Sequence, residues 1–208
     1  MTSHAMKLYI TTTSPYARLV RIVILEKALQ ERIEIIVAKT RTTNSLYYAI
    51  NPSGRVPFLM REDGIGLEDS ALICAYLDQL DGRPMFTLPA GEQGWEARRL
   101  EAMARSTLDG IAVWGREFYR PENERSPTVI EHEIERNRRM LFVWEDLIEH
   151  PMMQNGLNMA QLTLLCGLHL DVRVPRFQWR TARPKLADWA DRLAERPSIA
   201  ATMPPART

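Results

Sequence analysis

The sequence predicts an α/β N-terminal domain with a mixed four-stranded sheet, followed by an all-α helical-bundle domain. Over about the first eighty residues, short β-branched runs alternate with helical patterns. A stretch rich in glycine and proline, residues 82–92, then interrupts the periodicity, and the later segments place apolar residues at helical spacing. We therefore expect domains at residues 6–81 and 93–208, joined by that linker. Residues 1–5 have the composition of a leader segment before a native start at Met6.

The first domain is expected to follow the order β-α-β-α-β-β-α, which is typical of a small sheet with helices on its faces. Ser14 and Pro15 predict the start of the first helix, because serine caps well and proline suits the first turn. That helix should run to about Leu29. Strands are predicted at residues 7–11, 32–37, 58–61 and 65–68, and further helical segments at residues 46–50 and 70–80.

The second domain is predicted to contain at least four helices. Apolar residues recur at helical spacing from Leu100 to Phe118 and again from Ile130 to Ile148. Asn158 and Gln161 have the spacing of a capping box, which predicts the start of a third, strongly apolar helix. The last helix is expected around Trp189.

Composition excludes several classes of function. The formal net charge is +1 without a long basic cluster, which argues against nucleic acid as a partner. No apolar run reaches the roughly 20 residues that span a bilayer, so no membrane partner is expected. Cys74 and Cys166 both lie in apolar helical patterns and are expected to be reduced, as in a cytoplasmic protein. No spacing of ligand residues resembles a metal site.

Two short motifs predict a binding site for a small, charged, peptide-like ligand. Proline at position 57 favours an extended conformation for Val56, whose backbone N–H and C=O could then pair with another peptide. Asp69 and Ser70 stand at the predicted start of a helix, where a hydroxyl and backbone N–H groups suit a carboxylate. The alternatives are an ordinary turn at Val56 and simple helix capping at Asp69, and capping and binding can coexist.

These motifs carry a resemblance to a known family. Ser-Pro-Tyr-Ala-Arg18 after the first strand, Val56-Pro57 before the third and Glu-Asp-Ser70 before the next helix resemble the glutathione S-transferases. The closing segment from Arg196 to Thr202 is similar to that of many bacterial members. The resemblance implies a thioredoxin-like first domain, a cis Val-Pro bond, and a cytoplasmic homodimer that uses glutathione as co-substrate without a metal.

The resemblance also implies a set of site residues. The glutathione-binding residues would be Tyr16, Arg55, Val56, Pro57, Asp69 and Ser70. Aromatic side chains late in the first long helix would form the apolar pocket for the second substrate, namely Trp114, Phe118 and Tyr119. Those three aromatic residues fit a place in the core between the domains equally well.

Ser14 is the candidate catalytic residue. An ordinary thiol has a pKa of about 8.5, and lowering it to neutrality takes roughly 2 kcal/mol. One hydrogen bond to a charged sulfur is worth about 1.5–3 kcal/mol, so a single hydroxyl suffices. Ser14 could instead be only a helix cap, and Thr12 and Thr13 supply competing hydroxyls. Because serine forms no disulfide, the expected reaction is transfer of glutathione to an electrophile or peroxide reduction, rather than thiol–disulfide exchange.

Two classes of function therefore follow from the sequence. The first is a glutathione transferase with a role in detoxification, acting on a small apolar electrophile. The alternative is a non-catalytic glutathione-binding or protein-interaction module on the same fold. Retention of Ser14 together with Val56-Pro57 and Asp69-Ser70 favours the enzyme, because an interaction module needs no hydroxyl aimed at a thiol.

Overall fold

The computed structural model describes residues 5–206. The chain forms two compact units, one ending at Thr87 and the other beginning at Leu88. The first unit contains a four-stranded mixed sheet and two helices, and the second unit is built from helices. The predicted fold class is confirmed.

The sheet of the first unit has the strand order β2-β1-β3-β4. β1 pairs in parallel with β2 and antiparallel with β3, and β3 pairs antiparallel with β4. Helices α1 and α2 pack against each other. The bounds are β1 Met6–Ile10, α1 Pro15–Glu26, β2 Ile33–Val37, β3 Phe58–Met60, β4 Gly66–Glu68 and α2 Ser70–Gln79, with short 3₁₀ turns at Gln30–Arg32 and Leu46–Ala49.

Helix α1 ends at Glu26, three residues before the predicted end at Leu29. Ala28 adopts a left-handed conformation with φ 51°, which stops the helix. The N–H of Leu29 then reaches back to the carbonyl of Ile24 at 2.9 Å. Such a bond satisfies a carbonyl at the end of the helix. The periodicity of the sequence does not reveal this helix end, because Ile24 and Leu29 are both apolar and continue the helical pattern.

A buried lysine ties the end of the first unit to its helices. Lys27 Nζ donates to Asp81 Oδ1 at 2.8 Å and to the carbonyl of Arg83, and it lies 3.5 Å from Asp78 Oδ1. The Asp78 carboxylate in turn accepts from the backbone N–H groups of Met85 and Phe86, at 2.7 and 3.0 Å. The segment after α2 is therefore held by charge-assisted hydrogen bonds.

In the second unit, α3 packs against both α4 and α6. Every residue of α6 is buried, so this helix forms the centre of the unit. The predicted capping box is confirmed, because the Asn158 side chain accepts from the Gln161 N–H and the Gln161 side chain accepts from the Asn158 N–H. The helices are α3 Gly91–Phe118, α4 Pro127–Leu147, α5 Pro151–Gln154, α6 Met159–Leu168, α7 Pro184–Ala194 and α8 Pro197–Ala200.

One buried polar pair in the second unit joins two helices. Trp144 and Thr107 are both fully buried, and the indole N–H of Trp144 donates to Thr107 Oγ1 at 2.9 Å. Thr107 Oγ1 itself donates to the carbonyl of Met103 at 3.0 Å. This chain of bonds joins α4 to α3. Within residues 5–206, no helix is both long enough and apolar enough to cross a membrane.

Candidate functional site

Strand register brings the predicted site segments to one edge of the sheet. Tyr9 of β1 lies opposite Phe58 of β3, which in turn lies opposite Glu68 of β4. Because β1 and β4 both run antiparallel to β3, the ends of β1 and β4 lie beside the start of β3. The segments that follow β1, precede β3 and follow β4 are Ser14, Val56-Pro57 and Asp69-Ser70 respectively.

Val56 presents a backbone edge at this end of the sheet. The Val56-Pro57 peptide bond is cis, as the resemblance implied. Pro57 is buried and Val56 is half-buried, so the proline anchors the turn while the valine borders solvent. Within residues 5–206, the Val56 N–H is not hydrogen bonded. An extended peptide can therefore pair with it as a short added strand.

The loop before Val56 is held by two side chains that the sequence reasoning missed. The Tyr47 hydroxyl donates to the carbonyl of Arg55 at 2.5 Å, and Asn51 Nδ2 donates to the same oxygen at 3.1 Å. Tyr47 is 5% exposed and Asn51 is 3% exposed. A partial signal was present, because Asn51 directly follows the segment 46–50 predicted to be helical, and residues four apart in a continued helix would share a face.

A second contact joins this loop to β4. Ser53 Oγ donates to Glu68 Oε2 at 2.5 Å, and the Arg55 N–H donates to Ser53 Oγ at 3.1 Å. Glu68 immediately precedes Asp69, so the contact ties the loop before Val56 to the segment that starts α2. Sequence spacing could not indicate this pair, since fifteen positions separate the two residues.

Asp69 caps helix α2 from a strained backbone conformation. Its φ is 77°, in the left-handed region that non-glycine residues seldom occupy, at a cost of about 1–3 kcal/mol. Asp69 Oδ1 accepts from the Ala71 N–H at 2.7 Å, so the predicted capping role is confirmed. The Asp69 side chain is exposed and keeps acceptor capacity, whereas Ser70 is only 2% exposed. Asp69 is thus the accessible polar side chain of the pair.

Ser14 is the N-cap of α1, as predicted. Its Oγ accepts from the Ala17 N–H at 3.2 Å, which leaves the hydroxyl hydrogen able to donate elsewhere. Ser14 and Tyr16 are half-buried, while Thr12 and Thr13 are exposed on the preceding loop. All four residues lie at the same end of β1, and Ser14 also stands at the positive end of the α1 dipole.

The three aromatic residues predicted to form a second-substrate pocket differ in their surroundings. Trp114 is 3% exposed and packs edge-on against Phe177, with ring centroids 5.6 Å apart. Phe118 is half-buried with the Arg125 guanidinium over its ring. Tyr119 is exposed and donates its hydroxyl to the carbonyl of Arg173 at 3.1 Å. Within the helical unit, Trp114 is thus a core residue, and Phe118 and Tyr119 reach the surface.

Burial raises the pKa of the Tyr47 phenol, so this hydroxyl stays protonated and donates at neutral pH. The part of the chain that the structure describes contains no group of three or more histidine, cysteine, aspartate or glutamate residues placed to hold a metal ion. The polar groups at this edge include hydroxyl groups, backbone amides, the Asp69 carboxylate and the exposed Arg55 side chain.

The first unit has a thioredoxin-like fold. Its features are the sheet order, the parallel β1-β2 pair, the cis proline before β3 and the helix that starts after β4. In agreement with this, residues 8–85 match the profile of the glutathione S-transferase N-terminal domain.

Whole-chain comparisons extend the match to both units. The chain is 29% identical over 202 residues to the uncharacterized GST-like protein YibF of Escherichia coli (strain K12), with 96% of this chain and 99% of that protein covered. A glutathione transferase family member from Pseudomonas fluorescens Pf-5, crystallised with bound glutathione, superposes with a TM-score of 0.87 at 27% identity, over 97% of this chain and 100% of that one.

A second solved structure agrees. A glutathione S-transferase from Methylobacillus flagellatus KT, with glutathione bound, has a TM-score of 0.84 at 29% identity, over 97% of this chain and 100% of that one. Both units of the chain are therefore similar to members of the glutathione S-transferase family, and the family's N-terminal domain profile matches residues 8–85.

Proposed function

We propose that this protein is a glutathione transferase that binds glutathione at the edge formed by Ser14, Val56 and Asp69, and transfers it to a small apolar electrophile. The observation that carries the proposal is the register of β1, β3 and β4, which gathers a hydroxyl, an unpaired backbone N–H and an exposed carboxylate at one edge. The glutathione-bound relatives support the choice of ligand.

Each part of glutathione has a complementary group. The Val56 N–H and C=O pair with the backbone of its central cysteine, as in strand addition. The Asp69 carboxylate attracts the γ-glutamyl ammonium, and the start of α2 favours the neighbouring carboxylate through its dipole. The exposed Arg55 guanidinium suits the glycine carboxylate, Tyr16 is two residues from Ser14 in the chain, and Pro57 and Ser70 are buried in the two binding segments.

Ser14 activates the thiol. Its Oγ accepts the Ala17 N–H, and its hydrogen donates to the sulfur and stabilises the thiolate. A hydrogen bond worth about 1.5–3 kcal/mol to a charged group, with some tenths more from the helix dipole, matches the roughly 2 kcal/mol required. The thiolate then attacks an electrophilic carbon, forming a C–S bond as the leaving group departs. The same thiolate can attack a peroxide oxygen and break the O–O bond, which releases an alcohol and leaves a sulfenic acid on glutathione; a second glutathione then gives the disulfide and water.

The resemblance to the family supports the remaining parts of the proposal. By that resemblance, the electrophile is bound by Trp114, Phe118 and Tyr119 of the helical unit, of which Phe118 is half-buried and Tyr119 is exposed. On the same ground, we place the protein in the cytoplasm as a homodimer with a detoxifying role. Size-exclusion chromatography with light scattering tests the dimer directly.

The experiment is substitution of Ser14 by alanine, with Thr13→Val as the matched control. Glutathione binding is measured by calorimetry, the pKa of the bound thiol by thiolate absorbance, and turnover with a nitro-activated aryl halide. In Ser14→Ala the pKa of the bound thiol should rise by at least one unit and turnover should fall at least tenfold, with affinity changed less than threefold. The control should match the wild type.

Three results would each change a part of the proposal. Glutathione binding with an ordinary thiol pKa in the wild type would leave a recognition module without catalysis. No glutathione binding at all would favour a protein-interaction role for the fold. Unchanged turnover in Ser14→Ala would remove Ser14 from the mechanism while keeping the transferase.

A further inference from the structure

Two buried side chains converge on a single backbone oxygen beside the proposed site. The Tyr47 hydroxyl and Asn51 Nδ2 both donate to the Arg55 carbonyl, at 2.5 and 3.1 Å. Asn51 Nδ2 also lies within hydrogen-bond distance of the Tyr47 hydroxyl, at 3.4 Å. A carbonyl with two lone pairs can accept both donors at once. The three groups thus form one small network.

The Arg55 carbonyl is special because of its place in the chain. It shares a peptide plane with the Val56 N–H, and in a trans peptide the C=O and N–H point in opposite directions. Donors fixed on the carbonyl oxygen therefore set the direction of the Val56 N–H, which points away from Tyr47 and Asn51. The next peptide bond is cis and leads into β3.

Both donors are themselves held rigidly. Tyr47 packs against Tyr9 of β1, with ring centroids 5.5 Å apart, in a buried cluster that includes Phe58 of β3. Asn51 Oδ1 accepts from the Ser53 N–H at 3.2 Å, which orients its amide. The network is therefore anchored to two strands of the sheet and is not a mobile loop contact.

We propose that Tyr47 and Asn51 are positioning residues for glutathione, which orient the Val56 N–H so that it meets the peptide carbonyl of the ligand. This inference rests on the proposed function. The two residues need no contact with the ligand, because they act through the rigid Arg55–Val56 peptide. Pre-organisation of this kind lowers the entropy lost on binding, and its removal weakens binding without altering thiol activation.

Tyr47→Phe tests the idea, because it removes one hydroxyl and keeps the ring. We expect the Kd and KM for glutathione to rise about three- to tenfold, with kcat at saturating glutathione and the pKa of the bound thiol unchanged. Tyr48→Phe is the matched control, since the adjacent Tyr48 hydroxyl accepts only an exposed N–H, that of Thr42. It should shift Kd less than twofold.

Asn51→Asp provides a second test, because aspartate keeps the acceptor for Ser53 but replaces the amide donor with a negative oxygen. We expect Kd to rise more than tenfold, whereas Asn44→Asp, which adds the same charge at an exposed nearby position, should have little effect. Wild-type Kd in both Tyr47→Phe and Asn51→Asp would overturn the positioning role and leave the transferase intact. A fall in kcat without a change in KM would also overturn it. Failure of the wild type to bind glutathione would overturn both proposals.

Discussion

Replacing Lys27 with methionine should lower the free energy of unfolding of the first unit by about 3 kcal/mol. The side chains of Lys27 and Asp78 are each only 3% exposed, so the substitution leaves a buried carboxylate without its cation. Loss of one partner of a buried pair costs about 3–5 kcal/mol. We expect the lower end, because Asp78 keeps its hydrogen bonds to the N–H groups of Met85 and Phe86.

The assay is chemical denaturation followed by two signals. All five tryptophans lie at or beyond position 95, in the second unit, so tryptophan fluorescence reports that unit alone. Far-UV circular dichroism reports both units. Lys27→Met should shift the part of the circular dichroism transition that belongs to the first unit. Lys39→Met, at an exposed position, is the matched control and should change stability by less than about 0.5 kcal/mol.

A double variant separates pairing from packing. Lys27→Met combined with Asp78→Leu removes both charges. The double variant should therefore lose less free energy of unfolding than the sum of the losses in the two single variants. A loss of less than about 1 kcal/mol in Lys27→Met, or two single losses that simply add, would contradict a buried ion pair. Either result would mean that the pair is solvated and that the segment after α2 is held by packing instead.

Two further predictions concern the second unit. Thr107→Val should lower the free energy of unfolding by about 1–3 kcal/mol, because the buried Trp144 N–H loses its acceptor while the side-chain volume is kept. The control is Thr128→Val at an exposed position, and equal stability of the two variants in urea would contradict the prediction. Burial raises the pKa of Asp171, whose Oδ2 accepts from Trp179 Nε1 at 2.9 Å. Because the pKa of Asp171 is higher in the folded than in the unfolded protein, the protonated carboxyl contributes to stability below its ordinary pKa. That contribution is lost as the pH rises through the pKa of the folded protein. Asp171→Asn keeps an acceptor for the indole and does not titrate, so its stability relative to the wild type should increase as the pH is raised from acidic to neutral. A difference in urea midpoint that does not change with pH would refute this prediction.

The fold class was readable from local patterns. β-branched runs, the Ser14-Pro15 helix start and the Asn158–Gln161 capping box all depend on interactions within a few residues. These elements appear in the structure with shifts of a few residues at their ends. Within the first unit, the largest shift is at the end of α1, where a left-handed Ala28 stops a helix whose apolar pattern continues.

The candidate site was only partly readable. The hydroxyl, the Val-Pro bond and the helix-capping aspartate each have a local signature, so Ser14, Val56-Pro57 and Asp69 could be named from the sequence. The sequence did not reveal the burial of Ser70, the φ of 77° at Asp69, or the different surroundings of Trp114 and Tyr119. Each of these depends on which neighbours are packed around the residue in three dimensions.

The sequence by itself determined the two-unit architecture and the types of groups available for chemistry, because helix caps, proline geometry and hydrophobic period act over a few residues. Only the tertiary structure decided how those groups are held. Strand register brings segments more than fifty positions apart in sequence to one sheet edge, and two side chains from the preceding loop donate hydrogen bonds to the Arg55 carbonyl. The strand pairings leave no periodic signal, since they form only when the whole sheet is assembled.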